Sequence, residues 1–439
     1  MGLGKYVPAT SSEQQEMLKT LGLSSLDDLY VDVPQDLKVT ELNIPAKQSE
    51  LEVRRHLTEL ADKNTVFSSV FRGAGAYNHY IPSLVKQIAG KEEFMTAYTP
   101  YQAEISQGIL QSIFEFQTMI CELTGMDAAN ASVYDGASAA GEAVNMVVGR
   151  KKNKVLVAST LHPMTIETIK TYAYGSDVEI ELIPEVNGRI DQAALTTLLT
   201  KEVAGVLVQQ PNYYGLMEEA TEIGEQVHQN KSQYILSVNP MAAALTKTAR
   251  EYGADIAIGE GQPLGLPMSF GGPYLGFMAT TEKNLRSLPG RIVGETEDVE
   301  GNRAYVLTLQ AREQHIRREK AKSNICSNQA LCALTASIYM TVMGPKGLQD
   351  AAYQSYAKAH YLAEQLTEIP GFDRVYPGEF FHEFVTTCPV PAKELTEQLA
   401  KHGILGGLEL ENGLLWCATE MNTKEQMDEL IAVIKEVCQ

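Results

Sequence analysis

Between about residues 130 and 310, short apolar runs alternate with stretches of helical spacing. The runs are KVLVAST, VEIELIP, VAGVLVQQP, YILSV, ADIAIG, YLGFMAT and YVLTLQ, all rich in Val, Ile and Leu. Apolar periodicity predicts helices over 137–149, 164–174, 191–200 and 216–230. Apolar runs bounded by such helices predict a mainly parallel sheet with helices on its faces. Ligands of such sheets sit beyond the carboxyl ends of the strands.

The flanks read differently. Residues 1–65 are predicted to form an N-terminal helical arm: SSEQQEMLKTLG places Met17, Leu18 and Leu21 on one side, and Ser24 and Ser25 can cap the next turn. Residues 66–325 are expected to hold the large α/β domain and the aromatic, glycine-rich loops that precede it. A helix is expected over 105–124, with Ile109, Ile113, Phe116 and Ile120 on one face. Residues 326–439 are expected to form a helical connection and a smaller α+β domain, with strands in FDRVYP, HEFVTTC and LLWCAT and helices over 393–402 and 423–437.

A formal charge of -19 over 439 residues argues against a bulk surface that grips nucleic acid or an anionic membrane. No segment approaches the roughly 20 apolar residues of a membrane span, and the N-terminus has no apolar signal core. The six cysteines form no CxxC pair and read as free, buried thiols of a reducing compartment. The expected location is cytoplasmic. His and Glu pairs at metal spacing are missing from the sequence, so no catalytic metal is expected.

Several stretches carry chemistry. In NASVYDGASAAGEAVNM a turn feeds a small-residue helix, whose first amides and Ser138 could cradle an anion; tight packing on the sheet needs the same small residues. His162 follows a strand and could stack on a cofactor ring or simply satisfy a helix start. AYTPYQAEISQG offers Tyr98, Tyr101 and Glu104, and FRGAGAYNHYIP offers Tyr77 and His79, as pocket, interface or packing groups. AREQHIRREKAKSNIC is an anion contact or a solvated turn. GADIAIGEGQPLGLPMSFGGPYLGF reads as a strand running into a pinned loop, of the kind that forms active sites. That loop holds no Lys, His or Cys.

TPYQAEISQG, EFQTMICELTGMDAANASVYDGASAAGEA, GADIAIGEGQPLGLPMSFGGPYLGF and REQHIRREKAKSNICSNQAL resemble the glycine decarboxylase P-protein family of the glycine cleavage system, in particular the alpha chain of its two-subunit form. The resemblance covers nearly the whole chain. It implies the fold type I architecture of pyridoxal phosphate enzymes, which is aspartate-aminotransferase-like. It implies an alpha2-beta2 heterotetramer in which the beta subunit carries the Schiff-base lysine. The implied reaction is decarboxylation of glycine, with transfer of the aminomethyl group to the lipoyl group of H-protein. In this chain GEGQPLG stands where a catalytic half carries its lysine, and Lys247 and Lys283 only flank it. Asn239 stands near the usual place of the aspartate that pairs with the cofactor's ring nitrogen; Ser138, His162 and Asn239 are therefore expected to be vestigial cofactor contacts. Tyr77, His79, Tyr98, Tyr101 and Glu104 are expected to line the partner's entrance. The alternatives are a self-sufficient pyridoxal phosphate enzyme acting on another amino acid, and a non-catalytic scaffold or regulatory subunit.

Overall fold

Seven strands form one sheet: β1 (Ala128–Ala129), β2 (Lys154–Ala158), β3 (Glu179–Ile183), β4 (Val203–Gln210), β5 (Gln233–Val238), β6 (Ile256–Glu260) and β7 (Gly276–Thr280). The order across the sheet is β1-β7-β6-β5-β4-β2-β3. Strands β2 to β6 are parallel, and β7 runs antiparallel to both β6 and β1. The apolar runs become central strands because both faces are covered: every position of β4 but one is buried. These coordinates are a computed structural model that describes residues 9–39, 41–95 and 99–438.

One expected sheet strand lies elsewhere. YVLTLQ falls in Arg303–Thr308, which pairs antiparallel with Ile292–Glu297 as a separate hairpin. The edge beside β7 is already taken by β1. The hairpin is pinned by Gln117, which bonds both the N–H and the C=O of Val293. FDRVYP contributes a single bridge, Arg374 to Thr386, and no strand.

The chain divides into two compact units, Met1–Thr65 and Val66–Gln439. In the first, α1 (Ser11–Leu21) and α2 (Glu50–Ala61) each open on a capping box, Thr10 with Glu13 and Ser49 with Glu52. Neither helix buries a side chain, and Leu21, Val31, Leu42, Ile44 and Leu57 are all exposed.

The second unit has two main cores. The larger surrounds the sheet, against which α3 (Gln107–Thr124), α4 (Gly136–Val147) and α5 (Pro163–Ser176) pack. Small residues let α4 and α5 approach closely: a Cβ at Gly141 would lie 2.6 Å from the Tyr172 ring. The smaller core is built on the antiparallel strands Glu383–Thr386, Leu408–Leu410 and Gly413–Cys417, with Trp416 fully buried. Phe71 belongs to this core, and Ser69–Val70 pairs with Ile404–Leu405. The two cores share α6 (Ala330–Thr367), which breaks at Gly344 (φ 61°, ψ 175°) ahead of Pro345. Tyr339 before the break packs in the larger core, Leu362 beyond it in the smaller. All six cysteines are free; Cys332 and Cys417 are buried, whereas Cys326 is exposed, contrary to its expected burial. Among the described residues no helix is long and apolar enough to cross a membrane.

Candidate functional site

A cavity of about 300 Å³ opens at the carboxyl ends of the central strands, where an open parallel sheet leaves its crevice. Four strands deliver its wall: His162 after β2, Gln209 from β4, Asn239 after β5 and Glu260 at the end of β6. The start of α4 supplies Asp135 and Gly136, the loop between Ser69–Val70 and the helix Ser83–Ala89 supplies Tyr77, and the smaller core supplies His382 and Glu383.

Glu260 dominates the floor. Its Oε2 accepts the N–H of Gly136, the first residue of α4 (2.9 Å), while Oε1 accepts those of Gln262 (3.0 Å) and Leu275 (2.9 Å). The partial positive charge of the helix start is therefore met by a carboxylate of the chain itself. Asp135, the N-cap, takes the Ser138 amide at 2.7 Å. Burial pushes the Glu260 carboxyl up to about 7; the three amides oppose that rise and the nearby Asp135 charge adds to it.

Glu383 stands on another wall, 4% exposed. It accepts the Tyr77 hydroxyl at 2.7 Å and the Ala74 amide at 2.6 Å. Burial raises its carboxyl to about 7 despite these two donors. Burial also raises the Tyr77 phenol, and the facing Glu383 raises it further. His382 is 2% exposed, its Nε2 has no partner, and burial followed by the neighbouring His79 holds its pKa far below the usual value. These two residues were read in the sequence only as part of a strand, HEFVTTC; two titratable residues beside Phe380 and Phe381 at a strand start were the available signal.

The expected site residues separate into three places. His162, Asn239 and Tyr77 meet at the cavity. His162 Nδ1 accepts from the Met164 amide (3.1 Å) and Nε2 lies 3.0 Å from the Ala74 carbonyl, which makes Nε2 the protonated nitrogen of a neutral ring. Burial lowers its pKa, and the Ala74 carbonyl opposes this. Asn239 spends its Oδ1 as a cap on Met241 and Ala242. Ser138 is buried beside α5 and does not reach the cavity wall. His79 lies behind the wall, 2.8 Å from Glu420. Burial would raise the Glu420 carboxyl, yet the His79 bond and charge outweigh it and the pKa falls below the ordinary value. The Tyr77 hydroxyl and the His79 ring are thus both engaged by carboxylates of this chain. Tyr101 and Glu104 are exposed and away from the cavity; the Tyr101 hydroxyl accepts from Arg291 at 3.0 Å. Tyr98 lies outside the described residues.

No lysine or arginine lines the cavity among the described residues. Lys247 is exposed, over the Tyr252 ring. Gln262 explains much of the lysine-free loop: it is 1% exposed and clamps the Tyr77 backbone in both directions, at 2.8 Å and 2.9 Å.

Comparison with known proteins places this geometry. Residues 4–434 match the family model described as glycine cleavage system P-protein. A Moorella thermoacetica protein described as "Probable glycine dehydrogenase (decarboxylating) subunit 1" is 49% identical over 98% of this chain and 99% of its own length. A Listeria monocytogenes protein of the same description is 46% identical over 99% of both chains. Among solved structures, glycine decarboxylase (P-protein) of the glycine cleavage system, in inhibitor-bound form, superposes with a TM-score of 0.93, at 40% identity and over 99% of this chain and 100% of that one. A cysteine desulfurase from Thermococcus onnurineus NA1, 14% identical with a TM-score of 0.63 over 90% of this chain, shares the fold alone. The architecture is that of the fold type I pyridoxal phosphate enzymes.

The cavity does not fit that cofactor. A phosphate at the start of α4 would meet the Glu260 and Asp135 carboxylates. A pyridine nitrogen would find an amide at Asn239, whose oxygen is already engaged. An aldehyde would find no amine.

Proposed function

The chain belongs to the glycine cleavage system P-protein family, and on that premise we propose that it is the alpha subunit of an aminomethyl-transferring glycine dehydrogenase whose cofactor lysine lies in a beta subunit. The observation that carries this reading is Glu260. In a family built on an aldehyde-phosphate cofactor, a carboxylate of this chain occupies the helix start that would hold the phosphate. The chain therefore needs a second subunit to be part of a decarboxylase. Its N-terminal unit is consistent with this, because helices that leave Leu21, Leu57 and Leu60 exposed have apolar surface for another chain to cover.

In the assembled enzyme, pyridoxal phosphate supplies the electron sink for loss of CO2 from glycine. The lipoyl group of H-protein receives the aminomethyl carbon. The part left to this chain is to complete and hold the partner's site. Tyr101 and Glu104 are the expected pocket groups that remain free to line the entrance, since both are exposed. An alpha2-beta2 assembly in the cytoplasm is the expected form.

The test is exchange of labelled bicarbonate into the carboxyl group of glycine, with pyridoxal phosphate and H-protein held constant. This chain alone and a candidate beta chain alone should be inactive, and the mixture active. Exchange by this chain alone would overturn the proposal, and Lys247 would be the first residue to examine by reductive trapping.

A further inference from the structure

We propose that the basic stretch ahead of α6 forms, with Arg286, a binding site for a doubly charged tetrahedral oxyanion, either inorganic phosphate or the phosphate group of a small monoester. The site shares no lining residue with the cavity at the strand ends and does not depend on which subunit carries the cofactor.

A second cavity, of about 120 Å³, lies between two segments of the chain. Arg286 and Ser287, in the turn after β7, form one side. Arg312, Arg317, Lys322 and Ser323, all from AREQHIRREKAKSNIC, form the other. Four cations therefore line one small cavity, and no carboxylate lines it among the described residues. The missing countercharge is a separate observation. The chain carries 55 acidic residues against 36 Lys and Arg, yet none of these four cations is in an ion pair among the described residues. Glu313, whose charge Arg312 feels, faces the His315 ring at 3.5 Å and does not line the cavity.

Backbone carbonyls, not carboxylates, hold the cations in place. The two ends of the Arg312 guanidinium donate to the Leu288 and Gly290 carbonyls, while its buried Nε–H has no acceptor in the protein. Lys322 Nζ donates to the carbonyls of Met146 (2.9 Å) and Val148 (3.2 Å), and Arg317 Nε to that of Lys320 (3.0 Å). This convergence has a cost: burial lowers the Lys322 pKa and the Arg317 charge lowers it further. A bound anion relieves it. Guanidinium groups meet phosphate oxygens in pairs, and an ammonium adds a point charge. A monocarboxylate, with a single charge, would leave most of the cluster unanswered. The volume is well below the roughly 300–1,000 Å³ of sites for drug-sized ligands, so a monoester enters by its phosphate alone. A net charge of -19 disfavours nucleic acid as the source of that phosphate.

The test uses the assembled complex with its cofactor reduced by borohydride, so that the cofactor's own phosphate stays in place. Inorganic phosphate is titrated calorimetrically at about pH 8, where the dianion dominates, at constant ionic strength in a buffer otherwise free of phosphate. One saturable site per copy of this chain is expected, with acetate bound at least about tenfold more weakly. Comparison with methyl phosphate distinguishes the two sources: equal or tighter binding assigns the monoester, weaker binding the free ion. Arg286→Gln and Arg317→Gln, at exposed positions, should each weaken phosphate binding by about tenfold, the loss of one charge-assisted contact. Lys283→Gln removes the same charge from an exposed position that does not line the cavity, and should leave binding unchanged. Absence of saturable binding, equal affinity for acetate, unchanged affinity in either arginine variant, or an equal loss in Lys283→Gln would each overturn the proposal.

Discussion

Glu383→Gln should make the chain more stable at pH 8 and change little at pH 4.5. The native carboxyl of Glu383 titrates near 7, against an ordinary 4.5 in the unfolded chain. Below 4.5 both states hold the proton, and its burial costs nothing extra. Between 4.5 and 7 the unfolded chain has lost the proton while the native state keeps it. Raising the pH through this window therefore favours unfolding. Above 7 both states are ionised and the full penalty, about 3 kcal/mol, persists. Glutamine copies the protonated acid: its oxygen can accept the Ala74 amide and its NH2 can face the Tyr77 oxygen. It has no proton to lose. The variant should thus gain up to about 3 kcal/mol on the wild type as pH rises from 4.5 to 8. Glu142 and Glu260, also raised to about 7, are present in both proteins and cancel in the difference. Trp416, the only tryptophan, reports on the right place: it is fully buried and pairs with Phe384, the neighbour of Glu383. Urea unfolding followed by its fluorescence at several pH values should show the two midpoints diverging by up to about 1 M. A difference that stays flat with pH, or shrinks as pH rises, would refute the argument.

Glu260→Ala should destabilise the chain by about 2–3 kcal/mol, because it strips an acceptor from the Gly136, Gln262 and Leu275 amides; Glu260→Gln should recover part of that loss in thermal melts. Gly215→Ala should cost more than about 3 kcal/mol, since its φ is +83° and a Cβ would lie 2.0 Å from the Glu383 carbonyl oxygen; a soluble variant with an unchanged melting temperature would contradict the packing described. Tyr101→Phe and Glu104→Gln, at exposed positions, should lower bicarbonate exchange by the complex without changing assembly in gel filtration; full activity in both would remove them from the partner's entrance. Borohydride reduction of the working complex should place no pyridoxyl label on this chain, as peptide mapping would show, and a label at Lys247 would reverse that expectation.

The local elements were legible because their causes are local. Apolar runs of Val and Ile between helical repeats gave the parallel strands β2 to β6, and the helical connection expected after residue 326 forms as Ala330–Thr367, broken at Gly344. The missing lysine of GEGQPLG was legible for the same reason, since an absent amine needs no tertiary context. YVLTLQ shows the limit: its composition says strand, but only the occupied edge beside β7 and the bonds to Gln117 decide which strand it pairs with. The cavity was beyond the sequence altogether. Glu260, Tyr77 and Glu383 lie far apart in the chain, and strand order with the docking of the smaller core brings them to one wall. Tertiary structure also turned Tyr77 and His79 inward, through carboxylates more than 300 residues away. Sequence by itself determined which segments become strands and helices and that this loop could hold no covalent cofactor, because those depend on neighbours along the chain. That a carboxylate of the chain itself, Glu260, fills the helix start in place of a bound anion was decided only by the fold, because it depends on which distant groups come within hydrogen-bond reach.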